Sequence, residues 1–183
     1  MMTSKGTLVF DLESQRLADE VGGWSNIAAM GFAAGVTLDV ETGTLRAFLE
    51  PDLPALIDDL QAANRVVGYN LLRFDFEVLR PYGLQIDRAL LGKTIDMLRD
   101  LELSLGFRIG LDSVAEATLG EHKTADGIQS VRWYKSGEIE KVVSYCKHDV
   151  LVTHRVWDFG REHGFVRYFD RRGGLRKAPV AWI

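Results

Sequence analysis

The order of the predicted secondary-structure elements is the feature of this sequence that most constrains its fold. Strands are expected at residues 7–10, 27–40 and 44–49, before a first helix at residues 52–63. A strand at residues 65–69 and helices at 74–80, 111–119 and 137–160 follow, with a last strand at 166–169. Strands joined by a hairpin pair antiparallel, whereas strands separated by a helix pair in parallel. The order therefore predicts an α/β fold with a mixed central sheet of about five strands flanked by helices.

Length and composition fit a single globular domain over residues 1–183. The chain is 46% hydrophobic and 26% charged, which is close to the average for soluble domains, and it is long enough to bury a real core. The single cysteine, Cys146, excludes an intramolecular disulfide framework and fits a reducing compartment.

Targeting signals are not expected. The longest apolar run, residues 27–36, is too short to span a membrane, which takes roughly 20 residues. Asp11 and Glu13 interrupt the N-terminal apolar run too early for a signal peptide. These features predict a cytoplasmic protein with no membrane partner.

The charge balance does not by itself indicate a nucleic-acid binder. Lys and Arg number 22 against 26 Asp and Glu, so the net charge is −4, and phosphate binding usually needs a basic surface. Residues 161–177 are different, because six basic and two acidic residues give them a local charge of +4. This segment leads into a basic C-terminal tail from about residue 171, which is expected to lie on the surface and either contacts phosphates or is solvated.

Asp11 and Glu13 follow the first apolar strand and are two residues apart. The two-residue period of a strand places both side chains on one face. Two adjacent carboxylates repel each other unless a cation neutralises them, which favours a metal site. The alternative is a pair of acids that simply ends a strand.

Asn70, Phe74 and Asp75 come where the strand at 65–69 gives way to a helix. Asp75 can serve as a first-turn acid that stabilises the helix dipole, and Asn70 can stabilise its own turn. The alternative is that both contribute to a site at the end of the sheet.

Tyr145 and Asp149 lie four residues apart on the long helix, so they share a face at the flank of its apolar stripe. If this flank, the helix start at Asp75 and the strand end converge, four carboxylates surround one point. Such a set suits two hard divalent cations, Mg²⁺ or Mn²⁺, that act on a phosphodiester. Without these four acids the chain has 22 positive and 22 negative side chains.

Three motifs taken together resemble a known family. Phe10-Asp11-Leu12-Glu13, Asn70-x-x-x-Phe74-Asp75 and Tyr145-x-x-x-Asp149 look like the three exonuclease motifs of the DEDD superfamily, in the same order. That superfamily has a ribonuclease H-like fold and includes polymerase proofreading domains. Tyr145, rather than a His five residues before Asp149, makes the sequence similar to the DEDDy branch. The contexts of the motifs also resemble stand-alone bacterial exonucleases related to family B polymerase proofreading domains.

The resemblance implies a metal-dependent 3′–5′ exonuclease that acts on single-stranded nucleic acid with a free 3′ end, with DNA favoured over RNA. Asp11, Glu13, Asp75 and Asp149 would bind two divalent cations, and Tyr145 would orient the attacking water. The residues implied to hold the terminal nucleotide are Leu12, Asn70 and Phe74. The alternatives are a structure-selective endonuclease and a catalytically silent binding module of the same fold. The small size of the chain is compatible with a helicase or polymerase partner, but no sequence feature identifies one.

A few other residues are candidates for the site. Asp96, near an expected edge strand, is a spare acid that could touch a metal. Trp24 and Trp133 lie in stretches predicted to be loops, where they are the better placed of the four tryptophans to contact nucleic acid. Cys146 falls inside the apolar stripe of the long helix and is predicted to be core.

Overall fold

A computed structural model describes residues 5–122 and 125–183 of the chain. The strands are β1 Lys5–Ser14, β2 Phe32–Asp39, β3 Thr44–Phe48, β4 Ala63–Gly68, β5 Thr94–Asp96, β6 Phe165–Phe169 and β7 Leu175–Pro179. The α-helices are α1 Leu53–Ala62, α2 Phe76–Leu79, α3 Arg88–Gly92, α4 Met97–Leu105, α5 Leu111–Leu119, α6 Gly127–Lys135 and α7 Ile139–His163. Within the described ranges, no helix is both long and apolar enough to cross a membrane.

The first five strands form one mixed sheet, as the element order predicts. Its strand order is β3-β2-β1-β4-β5. β1 pairs antiparallel with β2, and β2 pairs antiparallel with β3. β4 runs parallel to both β1 and β5. Helix α1 lies between β3 and β4, and helices α2 and α3 lie between β4 and β5, as parallel arrangements require. β1 is therefore the central strand, and the end of β1 lies in the middle of one edge of the sheet.

The second strand is shorter than the sequence predicts. Residues 27–40 were expected to be extended, but residues Trp24–Ala29 form 3₁₀ turns and β2 begins only at Phe32. Gly31 has a φ of 74°, a left-handed conformation that suits glycine and ends the turns before the strand starts. The prediction was wrong at this end because the apolar residues of the 3₁₀ segment were counted as part of the strand.

The alternation of side chains along β1 separates the core into two layers. Leu8, Phe10 and Leu12 pack in a cluster with residues of α1 and α2. Val9 packs on the opposite face, in a cluster that includes Cys146 and Val150 of α7. Asp11 and Glu13 are in phase with Val9, so the strand period directs both carboxylates toward α7.

Helix α7 covers one face of the sheet and is followed by Gly164, which has a φ of 74°. It was predicted at residues 137–160 and is observed at Ile139–His163. The helix α6 before it was not predicted, and it contains Trp133. The interpretation of Trp133 as a loop residue was therefore wrong: it lies half-buried on α6, and its ring meets the Tyr145 ring edge-on.

The C-terminal segment is part of the fold rather than a tail lying on the surface. β7 pairs antiparallel with β6 and buries Ala178. Trp182 is only 5% exposed, and its indole Nε1 donates a hydrogen bond of 3.0 Å to Asp100 Oδ2. Its ring lies against Gly160 of α7, where an added Cβ would come within 2.5 Å of it. Most residues of the segment are exposed, as expected for a surface tail, including Arg171, Arg172, Arg176 and Lys177. The prediction missed the β6–β7 pairing and the burial of Ala178 and Trp182, because the charged residues of this segment masked the two buried side chains.

Candidate active site

The end of β1 presents two carboxylates toward α7. Asp11 lies opposite Val36 of β2 and Glu13 opposite Ala34, and the register shifts immediately after Glu13. The small Ala34 is buried in a cluster with Val142 of α7. A bulge at a strand end re-aims side chains and ends the pairing, so Glu13 is the last residue of β1 in the regular register.

Asp75 reaches the same place from the segment after β4. Residues Leu71–Asp75 form one turn of π-helix, and the carboxylate of Asp75 is almost fully buried. The backbone N–H of Leu12 donates a 3.1 Å hydrogen bond to Asp75 Oδ1. This bond ties the motif after β4 to the motif on β1.

A close approach of the backbone makes this arrangement possible. A Cβ at Gly68, the last residue of β4, would lie 2.7 Å from the carbonyl oxygen of Phe10. Asn70 adopts a left-handed conformation, with a φ of 73°, which asparagine tolerates better than most residues. The chain can therefore turn sharply after β4 and bring Asp75 back to β1.

Helix α7 supplies the remaining groups. The Cys146 thiol lies 3.3 Å from the backbone oxygen of Asp11 and 3.6 Å from its Oδ2. One turn apart on the same flank, Tyr145 donates a hydrogen bond to Asp149. Cys146 is buried as predicted, and it also anchors α7 against the end of β1.

The five residues predicted to be catalytic all line one open cavity of about 610 Å³. They are Asp11, Glu13, Asp75, Tyr145 and Asp149. Leu12 and Phe74 line the same cavity, and Trp24 forms part of its rim. Asp19 adds a fifth carboxylate, and no Lys, Arg or His is found among the lining residues that the structure describes. The negative charge of the cavity is therefore not balanced by side chains within it.

Burial and mutual repulsion shift the ionisation of the carboxylates. Desolvation raises the pKa of Asp11 well above its ordinary range, and the nearby charge of Asp149 raises it further. Desolvation and then the charge of Asp11 raise the pKa values of Glu13 and Asp75 in the same way. The carboxyl groups of such a cluster tend to be protonated unless a bound cation neutralises their negative charge.

Two neighbouring hydroxyl groups also respond to the carboxylates. Desolvation, followed by the charge of Asp149, raises the pKa of the Tyr145 phenol well above its usual value of 10, so the phenol stays protonated. The Ser130 hydroxyl of α6 is fully buried near Glu13 and opposes the rise in the pKa of Glu13. The oxygen of Ser130 makes no hydrogen bond of ordinary geometry within the described residues.

The three residues predicted to bind the terminal nucleotide do not all lie together. Leu12 and Phe74 line the carboxylate cavity, and Phe74 also borders a second cavity beside it. Asn70 lines only the second cavity and a third one, and its Oδ1 accepts a 2.9 Å hydrogen bond from Arg108 Nη2. Arg108 was not identified from the sequence, because an isolated arginine in a loop has no distinguishing pattern.

Asp96 has a structural role rather than a place in the carboxylate cavity. Its carboxylate accepts hydrogen bonds from the backbone N–H groups of Asn70, Leu72 and Arg99, at 2.9, 2.9 and 3.3 Å. These bonds fix the turn after β4 to the start of α4. The possibility that Asp96 touches a metal therefore finds no support, although its charge contributes to the raised pKa of Asp75.

The residues of the cavity suit hard divalent cations. Oxygen atoms of Asp11 and Glu13 and the sulfur of Cys146 lie within 4.8 Å of one another. The donors that reach the cavity from three different elements are carboxylates, which Mg²⁺ and Mn²⁺ prefer. The raised pKa values of three of these carboxylates are those expected where a countercharge is missing.

Comparison with known proteins places the chain in a family. The family model described as the RNase_H superfamily matches residues 8–159, from the start of the buried part of β1 to near the end of α7. A search of the curated proteins found no match. The matched residues include β2 to β5, β1 from Leu8 onward, and every carboxylate that lines the cavity. The chain therefore belongs to the RNase_H superfamily.

Proposed function

We propose that this protein is a metal-dependent 3′–5′ exonuclease that hydrolyses single-stranded nucleic acid, with DNA favoured over RNA. The observation that carries the proposal is the convergence of Asp11, Glu13, Asp75, Asp149 and Tyr145 on one cavity that has no basic side chain among its described lining residues. Membership of the RNase_H superfamily, most of whose members are nucleases, supports hydrolysis of nucleic acid in general.

The four carboxylates are proposed to hold two divalent cations, Mg²⁺ or Mn²⁺. When bound, the cations would neutralise the cavity and stabilise the charge that develops on the reacting phosphate. Asp11 and Glu13 come from a central strand, and Asp75 is held by the Leu12 N–H. These ligands are therefore fixed by the sheet before a cation binds, which lowers the cost of organising the site.

Tyr145 is proposed to orient the attacking water. Because its pKa is raised by burial and by Asp149, the phenol stays protonated and is not a base at neutral pH. Its proton is donated to Asp149, so its oxygen orients the water by accepting a hydrogen bond from it. The water oxygen forms a bond to phosphorus while the bond to the 3′-oxygen of the preceding nucleotide breaks. The attacking water releases one proton to the solvent, the departing 3′-oxygen takes up a proton from the solvent, and the product is a nucleoside 5′-monophosphate.

Leu12 and Phe74 are proposed to hold the terminal nucleoside. Both line the cavity beside the carboxylates, and Phe74 is half-buried, so part of its ring is free to pack on a base. Asn70 lies farther out and is proposed to contact the nucleotide that precedes the terminal one.

The packing of α7 against both β1 and the β6–β7 hairpin supports a single domain.

The test uses 5′-labelled single-stranded DNA and RNA of equal sequence with Mg²⁺ or Mn²⁺. We expect a ladder that shortens from the 3′ end, released nucleoside 5′-monophosphate and no product in EDTA. Asp75→Asn should abolish the ladder while leaving the protein folded, and Asp58→Asn, an exposed change on α1, is the matched control. A near wild-type rate in Asp75→Asn would refute the assignment.

A covalently closed circular DNA separates the exonuclease from the alternatives. An exonuclease leaves the circle intact, whereas a structure-selective endonuclease opens it. Binding of the linear strand without turnover in either metal would instead indicate a silent binding module.

A further inference from the structure

A groove outside the carboxylate cavity extends the candidate site. A second cavity, of about 710 Å³, shares Trp24 and Phe74 with the carboxylate cavity. A third cavity, of about 340 Å³, shares Asn70, Arg73 and Arg108 with the second. The shared lining places the three cavities side by side in a row from the carboxylates, past the π-helical turn, to the surface of α4; the second and third cavities are called the groove below.

Trp24 stands where the first two cavities meet. It is 70% exposed, whereas Trp157 and Trp182 are buried and Trp133 is half-buried. Large exposed aromatic side chains do not contribute to the core, and Trp24 lies at the start of a 3₁₀ segment that forms one wall of the second cavity. A flat, exposed indole beside Phe74 provides a surface on which a nucleic-acid base can stack.

The far end of the groove contains three arginines. Arg108 is held by Asn70 and by Glu102, whose Oε2 lies 3.1 Å from Arg108 Nη1. The same Glu102 oxygen lies 3.6 Å from Arg73, so one carboxylate serves two exposed guanidinium groups. Arg99 lines the same cavity.

The third cavity therefore has cationic groups in excess. Arg99 has no ion pair within residues 5–122 and 125–183. Asp96, the other acid that lines this cavity, accepts three backbone N–H groups, so its oxygens are already engaged. This balance is opposite to that of the carboxylate cavity, where acids are in excess.

We propose that this groove binds the strand upstream of its 3′-terminal nucleotide. Trp24 stacks on a base next to the scissile bond, and Arg99 and Arg108 bind backbone phosphates farther along. Aromatic stacking combined with arginine contacts to phosphate is the general means of holding a single strand without reading its sequence. The inference rests on the proposed function, because it assigns the upstream part of the same substrate.

The groove also accounts for substrate binding by an acidic protein. With a net charge of −4, the chain as a whole repels a polyanion. The arginines of the third cavity attract the phosphates of the strand locally, and cations bound in the carboxylate cavity would attract the scissile phosphate. The electrostatic attraction is therefore confined to the path of the strand. Binding should therefore weaken as salt is raised, with a slope set by the few phosphates that the groove contacts.

The test compares two substrates with one enzyme preparation. One is the p-nitrophenyl ester of thymidine 5′-monophosphate, which contains a terminal nucleotide but no upstream strand. The other is an oligothymidylate of eight nucleotides. The quantity measured is the ratio of kcat/KM for the oligonucleotide to kcat/KM for the ester, so that a general loss of activity cancels.

We expect this ratio to fall by at least about 10-fold in both Trp24→Ala and Arg99→Gln, mainly through a higher KM for the oligonucleotide. Arg99→Glu should lower it further, and the salt dependence of KM should become shallower in both Arg99 variants. Trp24→Phe, which keeps an aromatic ring, should recover part of the ratio. The matched controls, Phe169→Ala on β6 and Arg88→Gln on α3, are exposed and lie outside the groove.

The outcomes separate this inference from the proposed function. If the wild-type protein hydrolyses neither substrate, the proposed function fails. If it hydrolyses both, and the Trp24 and Arg99 variants keep the ratio within about two-fold of wild type, the groove does not bind the upstream strand.

Discussion

Replacement of Glu13 by Gln should stabilise the metal-free protein while it removes activity. Glu13 is 7% exposed, and one of its carboxylate oxygens lies within 4.8 Å of one carboxylate oxygen of Asp11. At the effective dielectric constant of about 20 that describes such sites, two unit charges at that separation repel by about 3 kcal/mol. The Gln side chain has the same shape and no charge, so the replacement removes this repulsion without leaving a cavity.

The stabilisation by Glu13→Gln should depend on pH. Burial and Asp11 raise the native pKa of Glu13 above its ordinary value of 4.5, so the native state binds the proton more tightly than the unfolded state. Ionisation of Glu13 therefore destabilises the wild-type protein least below about pH 4.5. The loss in free energy of unfolding grows as the pH rises toward the raised pKa and is constant above it. Above that range, Glu13→Gln should be more stable than wild type by about 2–3 kcal/mol, or roughly 5–10 °C in melting temperature.

The assay is thermal or urea unfolding in EDTA, at intervals between pH 4 and pH 8. Asp58→Asn, which removes one exposed acid from α1, controls for the change in net charge. Added Mg²⁺ or Mn²⁺ should raise the stability of wild type by more than that of Glu13→Gln, since the variant lacks a proposed ligand. If Glu13→Gln and wild type differ equally at pH 4 and pH 8, or the variant is less stable throughout, repulsion between Glu13 and Asp11 does not limit the stability of the metal-free protein.

Two further predictions concern other parts of the chain. Tyr145→Phe should lower kcat by about 10²-fold, the size typical of losing one oriented hydrogen bond in an active site. The shape of the pH–rate profile below pH 10 should not change, because the raised pKa of the phenol keeps it protonated over this range. A high-pH limb that is present in wild type and absent in the variant would contradict this role. Trp182→Ala should lower the free energy of unfolding by about 3–5 kcal/mol, as expected for a buried Trp. Trp24→Ala should leave the free energy of unfolding nearly unchanged, because Trp24 is exposed. Equal effects of the two variants on urea unfolding would show that the C-terminal segment does not dock on α7.

The mixed sheet was predictable because its determinants are local. The apolar run of β1, the turn between β2 and β3 and the helices around β4 each carry their own signal, and the rules for connecting them leave few arrangements. The positions of Asp11 and Glu13 on one face follow from the strand period alone. Their partner across that face, Cys146, was recognised as core, but its contact with Asp11 requires the tertiary packing of α7.

Other features depended on contacts between segments that are distant in the sequence. Nothing in the local pattern of residues 171–183 indicates that Ala178 and Trp182 are buried, since the partners of Trp182 are Gly160 and Asp100. Likewise, the role of Asp96 in holding the turn at Asn70 is visible only once β4 and β5 are paired. The C-terminal segment was interpreted as surface-lying and Asp96 as a spare acid that could touch a metal, whereas the tertiary structure uses each to fix a neighbouring element.

The carboxylate site was predictable from the sequence, whereas the groove as a whole was not, because only the carboxylates have a characteristic sequence pattern. A site of converging carboxylates requires an acid at the end of a strand, at the start of a helix and on the flank of a helix. These requirements produce recognisable motifs in the sequence. A strand-binding surface needs only an exposed ring and a few guanidinium groups, and many sequences provide these at many spacings. Trp24, which was identified from the sequence as a candidate for nucleic-acid contact, borders the carboxylate cavity, whereas Arg108 lines the second and third cavities and Arg99 lines the third. The proposed strand path therefore depends on the folded surface, whereas the proposed chemistry rests on the motifs.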